Sequence, residues 1–112
     1  MATLVLTITK DSVDVPWKFA NELTEEEKIS HVYPYREYII SLPGFIGTTL
    51  TNPDELTTVV THTFDTEENA RSAQALLFRA EPGTFPYEQK TFWDEKYASW
   101  GISYMKINKV FV

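Results

Sequence analysis

The chain contains no cysteine, which excludes a disulfide framework, a thiolate zinc site and a cysteine nucleophile outright. Glycine is scarce, at four residues, and no G-x-S-x-G, G-x-G-x-x-G or Walker-type loop is present, so nucleophile-elbow and phosphate-cradling chemistries drop out too. Basic residues are outnumbered, ten Lys and Arg against sixteen Asp and Glu, and the net charge of -6 opposes binding to a phosphate backbone. The nearest approach to a basic cluster is Lys106 with Lys109, and nucleic acid is not an expected partner. Histidine is limited to His31 and His62, far apart and without H-x-H or H-x-x-x-H spacing, so neither a metal site nor a cofactor is implied. No run approaches the roughly 20 apolar residues that span a bilayer, and the N-terminus alternates apolar residues with Thr instead of showing a basic n-region and an apolar core. A cytoplasmic protein with no membrane partner is the expectation, and the composition suits a viral accessory protein as well as a bacterial enzyme.

What is present is a full complement of core-forming residues. Apolar side chains make up 43% of 112 residues and aromatics 14%, enough for one domain over residues 1–112 that buries roughly two-thirds of its unfolded surface.

Periodicity then orders the chain. Thr3 to Thr9 alternates, with Leu4, Leu6 and Ile8 on one face and Val5 among threonines on the other, the signature of a half-buried strand. Lys10-Asp11-Ser12 is turn chemistry, and Trp17 after Pro16 reads as a lid over the core or, less simply, a ligand-stacking ring. Thr24 followed by Glu27 forms a capping box that opens a helical stretch, Glu25 to Leu42, interrupted by Pro34; it is either one helix kinked near His31 and Val32 or two helices, ending at Leu42-Pro43-Gly44. Phe45 to Thr51 and Leu56 to Phe64 read as an antiparallel hairpin around Asn52-Pro53-Asp54-Glu55. Asp65 with Glu68 reads as a second capping pair, ahead of a helix to about Arg79 with the stripe Ala70, Ala73, Leu76 and Leu77. An aromatic segment follows, of which Tyr87 to Ser99 is a candidate short irregular helix. From Ile102 the chain alternates again, setting Ile102, Tyr104 and Lys106 against Ser103, Met105 and Ile107 as a final strand.

Strand, helix, strand, strand, helix, strand is the split βαβ order of the ferredoxin-like α+β fold: four antiparallel strands with helices on one face. The uncovered sheet face needs a partner, and pairing with a second copy would give a dimeric α+β barrel. The segments Leu42-Pro43-Gly44-Phe45-Ile46-Gly47 and Val59 to Ala70 resemble the helix-ending segment and the strand-to-helix passage of antibiotic biosynthesis monooxygenase-like dimeric α+β barrel proteins, a likeness spanning about Phe45 to Leu77. The resemblance implies a pocket inside the barrel and, for some members, cofactor-independent oxygenation. Haem-degrading members carry a Trp where this chain has Phe64 and a histidine on the second helix, where Glu67 to Arg79 has none, so that branch is disfavoured. Quinol-forming members use Asn, Trp, Tyr and His, and only His62 and Asn69 fall in comparable regions.

His62 is the catalytic candidate, since an imidazole on a strand face can act as general base or hold a substrate oxygen. The plain alternative is a partly buried histidine satisfied by a neighbouring threonine. His31 reads as surface. The clustered glutamates Glu25, Glu26 and Glu27, and Glu67 with Glu68, complement helix dipoles. Arg36, Arg71 and Arg79 could clamp a carboxylate or serve as surface pairs. Six large rings lie between Phe85 and Trp100. Phe85, Tyr87, Trp93, Tyr97 and Trp100, with Trp17 and Phe64, are candidates for ligand or partner contact, and core capping, pocket lining and subunit docking all stay open for the segment. Two functions follow: a non-catalytic oligomeric assembly or interaction domain, or a small-molecule binder or monooxygenase-like enzyme taking a small apolar or aromatic ligand.

Overall fold

In the computed structural model the backbone is described for residues 1–112 and the side chains for all but Met105 and Lys106, so the faces expected for these two on the last strand lie outside the described residues. Four strands, β1 (Ala2–Lys10), β2 (Phe45–Asp54), β3 (Thr57–Phe64) and β4 (Ile102–Phe111), form one sheet in the order β2-β3-β1-β4. Every neighbouring pair is antiparallel. With the helices on one face, this is the ferredoxin-like α+β arrangement expected from the order of elements.

Along β1 burial alternates strictly from Ala2 to Lys10, because Leu4, Leu6 and Ile8 face the helices while Val5 and the threonines face the open side. β3 runs opposite, pairing Leu4 with His62 and Leu6 with Val60, so Thr58, Val60, His62 and Phe64 share that helix-covered face. β2 continues to Asp54, three residues further than the sequence suggests. Pro53 is tolerated because β2 is an edge strand and its ladder shifts register between Thr51 and Asp54, where no donor is missed. The chain turns at Glu55 and Leu56, with the Leu56 N–H donating to Asp54 Oδ1 at 2.8 Å.

The first helical stretch neither breaks nor restarts. Thr24 Oγ1 accepts from the Glu27 N–H, and Glu27 Oε1 accepts from the Thr24 N–H, both at 3.1 Å, opening α1 (Glu25–Glu27). A π-helical turn over Lys28–Val32 joins it to α2 (Tyr33–Ile40). Pro34 has no N–H and its ring crowds the carbonyl four residues back; a wider turn just ahead of it absorbs one residue and removes that clash. α2 ends at Ile40, and the chain leaves it through Leu42 and Pro43 to Gly44, whose φ is 74°.

α3 (Glu67–Phe78) is capped by Thr66, not Asp65: Thr66 Oγ1 accepts from the Asn69 N–H at 3.1 Å, and Asp65 Oδ1 instead accepts from Asn69 Nδ2. Its buried stripe is Ala70, Ala73 and Leu77; Leu76 lies off it, 43% exposed. The aromatic segment is a regular third helix, α4 (Phe85–Ser99), with Thr84 Oγ1 accepting from the Tyr87 N–H and Pro86 in the first turn, where proline loses nothing. The core between sheet and helices is built on Leu4, Leu6, Phe64, Leu77, Trp93 and Tyr97. No helix among the described residues is long and apolar enough to cross a membrane.

Candidate functional site

Between the sheet and the helical run α1 to α2 the packing leaves a cavity of about 500 Å³. Its floor is Leu6, Val60 and His62 of the sheet; its sides are Val32, Tyr35 and Ile39 of the helical run; and Trp93, Tyr97 and Tyr104 close the far end. Arg36, Ile40 and Thr48 also line it and are exposed, so the cavity opens to solvent between α2 and the edge strand β2. The volume falls within the range of sites for small organic molecules.

His62 enters this cavity because it alternates with Val60 and Phe64 on β3. It therefore cannot line a space between two paired sheets, and the barrel-interior position implied by the family resemblance is corrected to the helix-covered side. Its Nδ1 shares a 2.8 Å hydrogen bond with Oγ1 of Thr48, the residue paired with it across the β2–β3 ladder. Burial pulls its pKa down to about 4, so the ring is neutral near pH 7. One ring nitrogen is thus committed to the protein, and the other is the one left for a ligand.

The remaining polar atoms of the cavity are also uncharged, apart from one guanidinium. Burial is the main cause that raises the Tyr35 phenol, with smaller contributions from Tyr38 and Asp94. Burial pushes Tyr97 up to about 12, and holds Tyr104 well above the ordinary phenol value with help from Tyr35, Tyr97 and Asp94. All three therefore keep their protons and can donate. Tyr97 and Tyr104 stack with centroids 4.4 Å apart, and Trp93 leans on both. Trp93 is 5% exposed, and its Nε1–H is buried without a hydrogen-bond partner. A buried donor left unpaired costs about 1–3 kcal/mol.

The other contact candidates fall elsewhere. Phe64 is fully buried and packs edge-on against Phe45 at 5.9 Å, which makes it a core residue. Trp17 lies by the β2–β3 turn, donating from Nε1 to the Glu55 carbonyl at 3.0 Å, stacked on Phe19 and beneath Lys10, whose Nζ donates to the Val15 carbonyl. Phe85 and Tyr87 project outward from the start of α4, and Trp100 packs edge-on against Tyr97 at 5.3 Å without lining the cavity. His31, expected at the surface, is half-buried: its ring stacks 3.7 Å from Phe92 and its Nδ1–H donates to buried Gln89. Asn69, tied to Asp65 at the start of α3, does not reach the cavity.

The sequence reading missed Tyr35, Phe45 and Tyr104. The signals were there in part: Val32, Tyr35 and Ile39 recur at helical spacing, and Tyr104 has the same strand parity as buried Ile102.

No family model and no curated protein matches this chain. Among solved structures it is similar to one from Nitrosomonas europaea described as a "putative antibiotic biosynthesis monooxygenase", over 99% of this chain and 94% of that one, at 14% identity and a TM-score of 0.43. At that identity the likeness says nothing of chemistry, and the ferredoxin-like architecture stands on its own strand order and helix placement.

Proposed function

We propose that this protein binds a small, largely apolar aromatic molecule in the cavity between its sheet and its helices. The observation that carries the reading is a cavity of about 500 Å³ walled by Trp93, Tyr97 and Tyr104, whose floor bears a neutral histidine with one nitrogen already taken. Such a site selects a ligand with an aromatic body against those rings and a hydroxyl or carbonyl near His62. A pKa near 4 makes His62 a weak base, so hydrogen bonding to the ligand is favoured over proton abstraction from it. Monooxygenase-like turnover would require the ligand itself to be acidic enough to ionise against that weak base.

The test is tryptophan fluorescence titration with 2-naphthol, together with native mass spectrometry of the purified protein for retained mass. Saturable quenching that is lost in Ile39→Trp, which fills the cavity from α2, supports the proposal. Absence of quenching by 2-naphthol together with no retained ligand would refute it.

A second reading has its own support. The open sheet face carries exposed Ile107 and Phe111 beside half-buried Val5 and Val59, which suits a homodimer or an assembly surface and is independent of the cavity.

A further inference from the structure

The cavity is apolar almost throughout, yet an exposed arginine stands at its opening. Arg36 lies on α2 and lines the cavity beside Ile39 and Ile40. Among the described residues the ion pairs are Lys28 with Glu25, Arg71 with Glu67, Lys90 with Asp94 and Lys96 with Glu27; Arg36 joins none. The sequence explains why. Arg71 has Glu67 one turn back, whereas the residues three and four positions from Arg36 are Val32, Tyr33, Ile39 and Ile40, none of which is an acid. In a chain with sixteen acids and ten bases, an arginine placed where no acid of its own helix face can reach it keeps its fork of donors free.

Resting on the binding reading above, we infer that the cavity takes an amphipathic acid, with the apolar body enclosed and a carboxylate held by Arg36 at the mouth. A neutral ligand would have no use for a cation there. An anion approaching a protein of net charge -6 does, because the general field repels it and only a local guanidinium can reverse that at the entrance. A planar carboxylate also matches the guanidinium's parallel donors, which a lysine would not offer. The rival explanation is that the arginine stem merely covers the apolar rim while its head sits in water, which predicts no selectivity for charge.

Two probes of one shape separate these. The wild-type protein, Arg36→Gln and Arg36→Lys are titrated with 2-naphthoate and with 2-naphthamide, with circular dichroism as a folding check. The wild type should bind the naphthoate about tenfold more tightly than the amide. Arg36→Gln should bring the naphthoate down towards the level of the amide and affect the amide far less, Arg36→Lys should retain part of the preference, and high salt should shrink it. Equal wild-type affinity for the two probes overturns the role of Arg36 and leaves cavity binding standing. If neither probe binds, both the acid selectivity and the cavity reading fall.

Discussion

Thr48 on the edge strand and His62 on its neighbour face one another across the β2–β3 ladder, and their side chains share a 2.8 Å hydrogen bond at the edge of the cavity floor. The bond fixes the orientation of the imidazole while burial strips away the water that would stabilise its charged form.

A pH dependence follows from that burial. The folded-state pKa of His62, about 4, lies below the value near 6.5 that it has when unfolded, so the unfolded chain binds the extra proton first. The contribution is fully present above about pH 6.5 and is lost as the pH falls from there towards 4, amounting to on the order of 3 kcal/mol. Urea denaturation at pH 7 and pH 4.5 should show a larger loss for the wild type than for His62→Gln. An identical loss in the two proteins would mean that His62 is not buried neutral.

Gly44 is the position where the backbone tolerates least. Its φ is 74°, and a Cβ there would lie 2.0 Å from Asp65 Oδ1 and 2.5 Å from Asn69 Nδ2, the two atoms that hydrogen-bond each other. Gly44→Ala should cost about 2–4 kcal/mol, combining a left-handed alanine with displacement of that pair. At Gly47 a Cβ meets nothing within 4 Å, so Gly47→Ala should change stability by no more than about 0.5 kcal/mol. Equal unfolding midpoints for the two variants would contradict the close approach at Gly44.

The helix cap on α3 separates two adjacent residues. Thr66 accepts from the Asn69 N–H, and Asp65 touches only the Asn69 side chain. Thr66→Ala should therefore destabilise by about 1 kcal/mol and Asp65→Ala by clearly less. The reverse order in thermal melts would restore Asp65 as the cap.

The parts of the fold that were legible are those governed by local rules. Alternation in β1 and β3 identified the buried face, the Thr24–Glu27 capping box marked the start of the first helical stretch, and Gly44 marked its end. What the sequence concealed came from competition between such rules and tertiary context. Pro34 is absorbed by a π turn because the helix continues packing on both sides of it. Pro53 sits in a strand because that strand is an edge. In the aromatic segment, helical spacing was masked by rings on every side of α4, which serve different neighbours: Trp93 and Tyr97 the core, Phe92 the His31 ring, and Phe85 and Tyr87 the surface. The cavity was legible at His62, Trp93, Tyr97 and Arg36 as separate candidates but not as one space, since it arises where residues from β1, β2, β3, β4, α2 and α4 fail to fill the space between them.

The open face of the sheet gives the remaining prediction. Val59, Thr7 and Ile107 form one row across β3, β1 and β4, pointing away from the helices. An antiparallel sheet can leave such a face in water, and its threonines suit that, but Ile107 and Phe111 are each about half exposed there. If a second copy covers this face, sedimentation velocity of the wild type at high micromolar concentration should give a dimer, and Val59→Lys, which places like charges across the twofold, should give a monomer. Because the row lies on the opposite side of the sheet from His62, the lysine variant should still bind 2-naphthol in the cavity. A wild-type monomer would make the face an ordinary solvated surface and remove the assembly reading, while a dimer that loses cavity binding on conversion to monomer would mean that the two faces of the sheet are coupled.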